Sequence, residues 1–331
     1  MNLRLLAVLG FGAEIFAGSL GCSSAHTGAA ASGGSARSSD ANVAGASNPS
    51  SGGDSGGGAS AGASGAAGAT VGPSTPDSAC VEHPMPLRTQ GTLLLLSLQP
   101  ILAGKPFEFG QPNTLADGGT LVPLNFRFYV SQVELLQSGG GKIAVDLVDA
   151  AGAPEPYGVH LFNAEEDDTS TLRVLAPPGD YTAFSFALGI KLGCNQQLPA
   201  KSNEPLTDVS QMTWPHTGGF LFLRYEGRYT ANDGSTSTRA DIPPAVHMGG
   251  DITKELVPRL VVSNSFSIPA TGRLEMGLGL TMDKLFAGAT ADIDVSDVAV
   301  GILSTPESIA GERLRRELPT LSAFVLDPSP K

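Results

Sequence analysis

Basic residues are scarce and nowhere gathered: 20 Lys and Arg stand against 32 Asp and Glu, for a formal net charge of −12. A phosphate-backbone binder needs a cationic run, so this distribution argues against nucleic acid as a partner. Past the amino-terminal twenty or so residues, no apolar stretch nears the roughly 20 residues that span a bilayer. The short run from Leu93 to Leu98 has strand dimensions. Enzyme signatures are missing from the domain as well: G-x-S-x-G occurs only within the low-complexity tract, at 53–57 and 58–62, where no strand and helix can form the elbow, and there is no H-E-x-x-H pair, Walker A loop or C-x-x-C-H haem site. Ser, His and Asp all occur, but nothing in their order brings them together, and His26 and His83 lie in or beside a low-complexity tract that cannot hold a base in place. No catalytic activity is therefore expected. Two scarcities carry positive information, the three cysteines and the single tryptophan.

At the amino terminus, Arg4 precedes an apolar stretch from Leu5 to Leu20 that Glu14 interrupts, with small residues leading to Cys22. This is the layout of a secretory signal, so 1–21 is expected to be removed. Ser19-Leu20-Gly21-Cys22 is similar to a bacterial lipobox, with Leu20 one place nearer the cysteine than usual, and predicts acylation of Cys22. From Ser23 to Ala79 the chain is almost wholly Gly, Ala, Ser and Thr without an aromatic residue. Such a stretch buries too little apolar area to offset the entropy of ordering it. The expected organisation is a signal peptide over 1–21, a tether over 22–86 and a folded domain over 87–331. The expected location is the cell envelope, lipid-anchored, at the outer membrane facing the periplasm or at the cell surface.

With Cys22 acylated, Cys80 and Cys194 remain as a pair, and export to an oxidising compartment predicts a disulfide between them. Closing so long a loop would stabilise by about 4 to 5 kcal/mol on a chain-entropy model. A thiolate metal site is the rival, which the lack of a C-x-x-C arrangement opposes.

Within the domain the period is two. Leu124, Phe126, Phe128 and Val130 alternate with Asn125, Arg127 and Tyr129, after which the apolar phase slips to Val133 and Leu135, as a bulge near Ser131 would produce. Ile143, Val145 and Leu147, then Phe184, Phe186 and Leu188, then Leu274, Met276, Leu278 and Leu280 repeat the pattern. Pro177-Pro178-Gly179-Asp180 and Asn232-Asp233-Gly234 read as turns. Helices are expected only around Met282–Ala287 and over Pro306–Leu318, with Ser304 or Thr305 as cap and Pro319 as stop. Half-buried antiparallel strands with few short helices predict an all-β sandwich.

Chemistry centres on Met212-Thr213-Trp214-Pro215-His216-Thr217-Gly218-Gly219-Phe220. The residue before a proline is pushed to extended geometry, where positions i and i+2 share a face, so Trp214 and His216 should point the same way. His160 and His247 lie near expected strand ends, and imidazole with thioether suits copper better than calcium or magnesium. On periodicity alone, a lone tryptophan reads rather as a core anchor, and a histidine beside Pro-x-x-Gly as a loop residue bonded to backbone. The Glu165-Glu166-Asp167-Asp168 run lacks EF-hand spacing and reads as a solvated acidic turn.

Several stretches in order resemble the MbnP-like copper-binding proteins of bacterial envelopes, also known as metallo-mystery-pair proteins. They are Gly104-Lys105-Pro106-Phe107, Leu124 to Leu135, Pro178-Gly179-Asp180-Tyr181 with Phe184 to Gly189, Met212 to Phe220, Leu223-Arg224-Tyr225-Glu226-Gly227, Val246-His247-Met248-Gly249 and Met282 to Phe286. The resemblance implies a β-sandwich paired with an MbnH-type dihaem protein related to cytochrome c peroxidases, which oxidises a tryptophan of its partner to kynurenine. Trp214 matches that tryptophan, His247 a family histidine, and His216 a position where many members carry a second tryptophan and some copper-binding relatives a histidine. Copper would then be held by His216 and His247 with the modified Trp214, and His160, Met212 or Met248 could complete the shell. Relatives often carry four cysteines, whereas here only two remain after Cys22. An alternative from another class is a structural or adhesive surface module in which Trp214 only packs.

Overall fold

The computed structural model describes residues 80–82, 91–197, 202–207, 210–214, 219–249, 257–292 and 305–327. The signal segment, Cys22, nearly all of the tether and His216 lie outside the described residues. Two sheets face one another. The first is built from β1 (Thr92–Leu102), β2 (Lys105–Pro106), β6 (Asp146–Leu147), β8 (Thr171–Ala176), β13 (Arg273–Thr281) and β14 (Phe324–Asp327), in the order β14-β13-β1-β8-β6 with β2 on β1. The second holds β3 (Asn113–Thr114), β4 (Thr120–Leu136), β5 (Lys142–Ala144), β7 (Val159–Asn163), β9 (Gly179–Leu188), β10 (Leu221–Thr230), β11 (Ala245–Gly249) and β12 (Arg259–Ile268). Its order is β11-β10-β4-β9-β12, with β3, β5 and β7 also on β4.

The apolar phase of each strand supplies the space between the sheets. Phe324 of the first sheet meets Phe186 of the second edge-on at 5.2 Å and Phe128 at 6.1 Å. Leu94 and Leu96 of β1 are buried beside them in the same cluster. Among the described residues, antiparallel pairing holds for every strand pair but one, since β1 and β13 run parallel with Leu93 opposite Arg273. Strands so far apart in the chain need no hairpin, and a long connection lets the second enter from the same end.

The phase slip near Ser131 is a bulge: the β4–β9 register shifts between Ser131 and Glu134, and Gln132 has a φ of 49°. A second bulge was not foreseen. The β4–β10 register shifts between Glu226 and Gly227, opposite Asn125 and Pro123, and Leu124 is thrown outward with 52% of its surface exposed. Nor is the far side of β4 solvated. Asn125, Arg127, Tyr129 and Ser131 are all buried; the described parts of the chain between β9 and β10 meet the last three, where the Ser210, Pro205 and Gly189 carbonyls accept from Arg127, Tyr129 and Ser131, and they add Ile190, Cys194, Leu206 and Met212 to the buried cluster.

That covering chain contains α1 (Leu192–Asn195), whose Cys194 forms a disulfide with Cys80 across a separation of 114 residues. Helix α2 (Met282–Thr290) follows β13 directly. Helix α3 (Pro306–Glu317) begins at Thr305, whose side chain accepts from the Ser308 amide, and carries Arg315 and Arg316 in its last turn. It packs on β11, an outer strand of its sheet, so that edge is covered rather than left open to pairing. Among the described residues no helix is long and apolar enough to cross a membrane.

Candidate functional site

Register places the polar groups. His247 of β11 stands opposite Arg224 of β10, Arg224 opposite Arg127 of β4, and Arg127 opposite Asn163 of β7. Directly opposed residues of antiparallel strands point to one face, so these four form a row across the sheet on the side away from the inter-sheet core. The chain before β10 lies over this row. Tyr129, from the same face of β4, donates its hydroxyl to the Pro205 carbonyl at 2.8 Å and meets Phe220 edge-on at 6.3 Å.

Trp214 is brought to the end of the row by a short antiparallel return. Thr213 bridges Phe220, the Trp214 amide donates to the Gly219 carbonyl at 2.8 Å, and the Leu221 amide donates to the Met212 carbonyl at 2.7 Å. The indole is partly buried against the margin of the apolar cluster. Its ring meets that of His247 edge to face, with centroids 6.3 Å apart and planes at 79°. Gly249, two residues on and on the same face, lies against the indole: a Cβ there would be in ordinary contact with Cε3, at 3.7 Å.

Behind the imidazole stands a charged pair. His247 Nε2 lies 3.1 Å from Glu226 Oε1, and Arg224 holds the same carboxylate oxygen through Nε at 2.9 Å and Nη2 at 2.8 Å. Partial burial by itself would raise the Glu226 carboxyl, but hydrogen bonding and charge from Arg224 and His247 outweigh it and hold the group below its ordinary value. An imidazole fixed through one nitrogen by a carboxylate presents its other nitrogen, Nδ1, in a set orientation.

The remaining expected ligands separate. His160, on β7, stands opposite Val130, which shares the inner phase with Phe126 and Phe128, so it points to the other face of the sheet from His247. Its Nδ1 lies 3.1 Å from Glu155 Oε1 and its Nε2 2.9 Å from the Thr169 carbonyl, so both nitrogens face oxygen acceptors. Met248 stands opposite Leu223 and is buried on the inner face, because neighbours on a strand alternate. Met212 is fully buried two residues before Trp214. His216 falls in 215–218, outside the described residues. Among the described residues no group of three or more His, Cys, Asp or Glu gathers as a metal shell. The acidic stretch forms a 3-10 turn over Asp167–Ser170, and Glu165 pairs with buried Arg127 at 2.7 Å instead of being merely solvated.

Arg224 and Glu226 were not foreseen as site residues. Their signal was a pair of opposite charges at i and i+2 of an alternating strand, a spacing that sets both on one face.

No curated protein matches the chain. Among solved structures, MbnP from Methylosinus trichosporium is similar at 18% identity, covering 66% of this chain and 86% of that one with a TM-score of 0.42. The MbnP family model matches residues 92–304, a span that begins with β1 and takes in Trp214, Arg224, Glu226 and His247. With well over half of its length matched by that model, the chain belongs to the MbnP family.

Proposed function

We propose that this protein binds copper in the cell envelope, and that Trp214 is its modified residue, oxidised to kynurenine by a partner dihaem enzyme of the MbnH type. It performs no catalysis of its own in this reading. The supporting observation is the edge-to-face approach of Trp214 and His247 at 6.3 Å, with His247 backed by Glu226. An intact indole N–H is a donor only and a poor ligand. In this reading the partner's haem, with two equivalents of peroxide as terminal oxidant, cleaves the indole C2–C3 bond, and hydrolysis releases C2 as formate, which leaves an aromatic amine and a ketone, both of them polar groups beside the imidazole.

The donor chemistry fits. Imidazole nitrogen suits copper, and a carboxylate on the second nitrogen of a ligating histidine is a recurrent support for it. His247 is the ligand the described residues offer, and His216, two positions along the chain from Trp214, is the second imidazole in this reading. His160 and Met248, on the opposite face, drop out of the proposed shell. Acylation of Cys22 and the tether over 22–86 would hold the domain off a membrane, where the haem partner could reach Trp214.

Co-expression with an MbnH-type dihaem protein, followed by mass analysis of the Trp214 peptide, tests the oxidation. A mass gain with kynurenine absorbance is the expected result, and an unmodified peptide counts against it. Copper titration of the wild type against His216→Ala and His247→Ala tests the metal, with affinity lost in each variant. A wild-type titration without binding would favour the structural module, in which Trp214 only packs.

A further inference from the structure

Gln211, three residues before Trp214, has a φ of 54°. A residue with a Cβ enters this left-handed region only where its surroundings hold it there. Two guanidinium groups are placed to do so. Arg127 donates from Nη1 to the Ser210 carbonyl at 2.6 Å and from Nη2 to Glu165 at 2.7 Å. Arg224, directly opposite on β10, donates from Nη1 to the Gln211 carbonyl at 3.0 Å. Consecutive carbonyls of the chain leading to the indole are thus each taken by one arginine of the row.

Arg224 reaches both halves of the site. Its Nη1 is on the backbone that carries Trp214, while its Nε and Nη2 are on the carboxylate that His247 also touches. A planar fork can make these contacts together, whereas a lysine ammonium is a single point that cannot span them. We infer that Arg224 is a positioning residue: it sets where the Trp214 segment lies relative to the His247 imidazole, with Arg127 fixing the neighbouring carbonyl. The consequence for copper rests on the function proposed above, but the placement itself does not.

Trp214 is the sole tryptophan, so fluorescence excited at the red edge of indole absorption, beyond that of the tyrosines, reports it alone. In Arg224→Gln, collisional quenching of Trp214 by acrylamide should rise at least twofold and its anisotropy should fall, with the fold intact by circular dichroism. Arg224→Lys keeps a charge for Glu226 but loses the second contact, and should lie between. Arg273→Gln removes an equivalent i, i+2 pair with Glu275, 2.7 Å apart in the other sheet, and should leave both readouts unchanged. Wild-type quenching and anisotropy in folded Arg224→Gln would overturn the inference, as would an equal change in Arg273→Gln. Should Arg224→Gln fail to fold, Arg224→Lys is judged by the same criterion. Titration with copper(II) chloride adds the functional arm, where Arg224→Gln should weaken binding about tenfold or more. If the wild type takes no copper, the proposed function falls while the fluorescence still decides the role of Arg224.

Discussion

Gly311 of α3 lies against the backbone of His247: a Cβ at position 311 would fall 2.1 Å from the His247 carbonyl oxygen and 2.7 Å from the Met248 amide nitrogen. Glycine inside a helix costs about 1 kcal/mol relative to alanine. Its presence here is explained by a close seat against a strand whose backbone cannot yield. Gly311→Ala should therefore destabilise by about 1–3 kcal/mol despite its better helix propensity, and it should disturb Trp214 fluorescence through β11. Gly288→Ala in α2 is the comparison, because its tight neighbours are chiefly the side-chain ends of Leu321 and Leu314, which can shift. Denaturant unfolding of the two variants should rank Gly311→Ala as the more damaging, and a stabilised Gly311→Ala would show that α3 is not seated there.

Two buried phenols make stability fall at high pH. Burial drives Tyr129 and Tyr225 well above the ordinary tyrosine value, more than offsetting the Ser210 hydrogen bond and the Arg127 charge that oppose it at Tyr129. The sign follows from the neutral form being favoured in the fold: the contribution is whole below the unfolded pKa of about 10 and is lost as pH rises from there toward the folded value. Each phenol can steepen the loss by up to about 1.4 kcal/mol per pH unit. Their hydroxyls differ, since that of Tyr129 is bonded to the Pro205 carbonyl and near Ser210, while that of Tyr225 is buried without a partner. Tyr129→Phe should lose about 1 kcal/mol at neutral pH. Tyr225→Phe should be neutral or stabilising there, and unfolding curves at pH 7 and 11 should show a shallower alkaline loss for it.

The strand phases of β4, β9 and β13 were legible because alternation is a local property of the chain. The bulge at Ser131 was legible for the same reason, as a slip of the apolar phase. The bulge at Leu124 was not, since it sits at Pro123, where an apolar residue turned outward leaves the pattern looking unbroken. Burial of Arg127 and Tyr129 was hidden too, because what covers them is an aperiodic chain that carries no repeat to read. Trp214 and His247 stood out as rare residue types. Which histidine shares a face with which is a matter of register between strands, and one sequence carries no record of register.

The disulfide ties the covering chain to the site. Cys194 ends a short path in which neighbouring Asn195 accepts the Phe220 amide on Oδ1 at 2.8 Å, and Phe220 bridges Thr213 beside Trp214. Replacing both Cys80 and Cys194 by serine should lower stability by about 2–5 kcal/mol. It should also raise the accessibility of Trp214 to a quencher. Asn195→Ala isolates the second link, and should raise accessibility with a smaller fall in melting temperature. If the double serine variant melts earlier yet leaves Trp214 as protected as before, the covering chain holds the indole without help from the disulfide.

The pleat of β11 and β7 divides the candidate ligands, and substitutions can read that division directly. Met248 faces inward, so Met248→Leu conserves volume, should cost less than about 1.5 kcal/mol, and should leave copper affinity unchanged. His160 bonds Glu155 and the Thr169 carbonyl from the inner face. His160→Gln should therefore cost about 1–3 kcal/mol through unmet polar groups, again with affinity unchanged. His247→Gln, on the outer face beside Trp214, should do the reverse: little loss of stability, since the residue is only partly buried, and a tenfold or larger loss of copper affinity. Titration and unfolding of the same three proteins decide the matter. Loss of affinity in Met248→Leu to the extent seen in His247→Gln would mean that the faces of β11 are assigned the wrong way round.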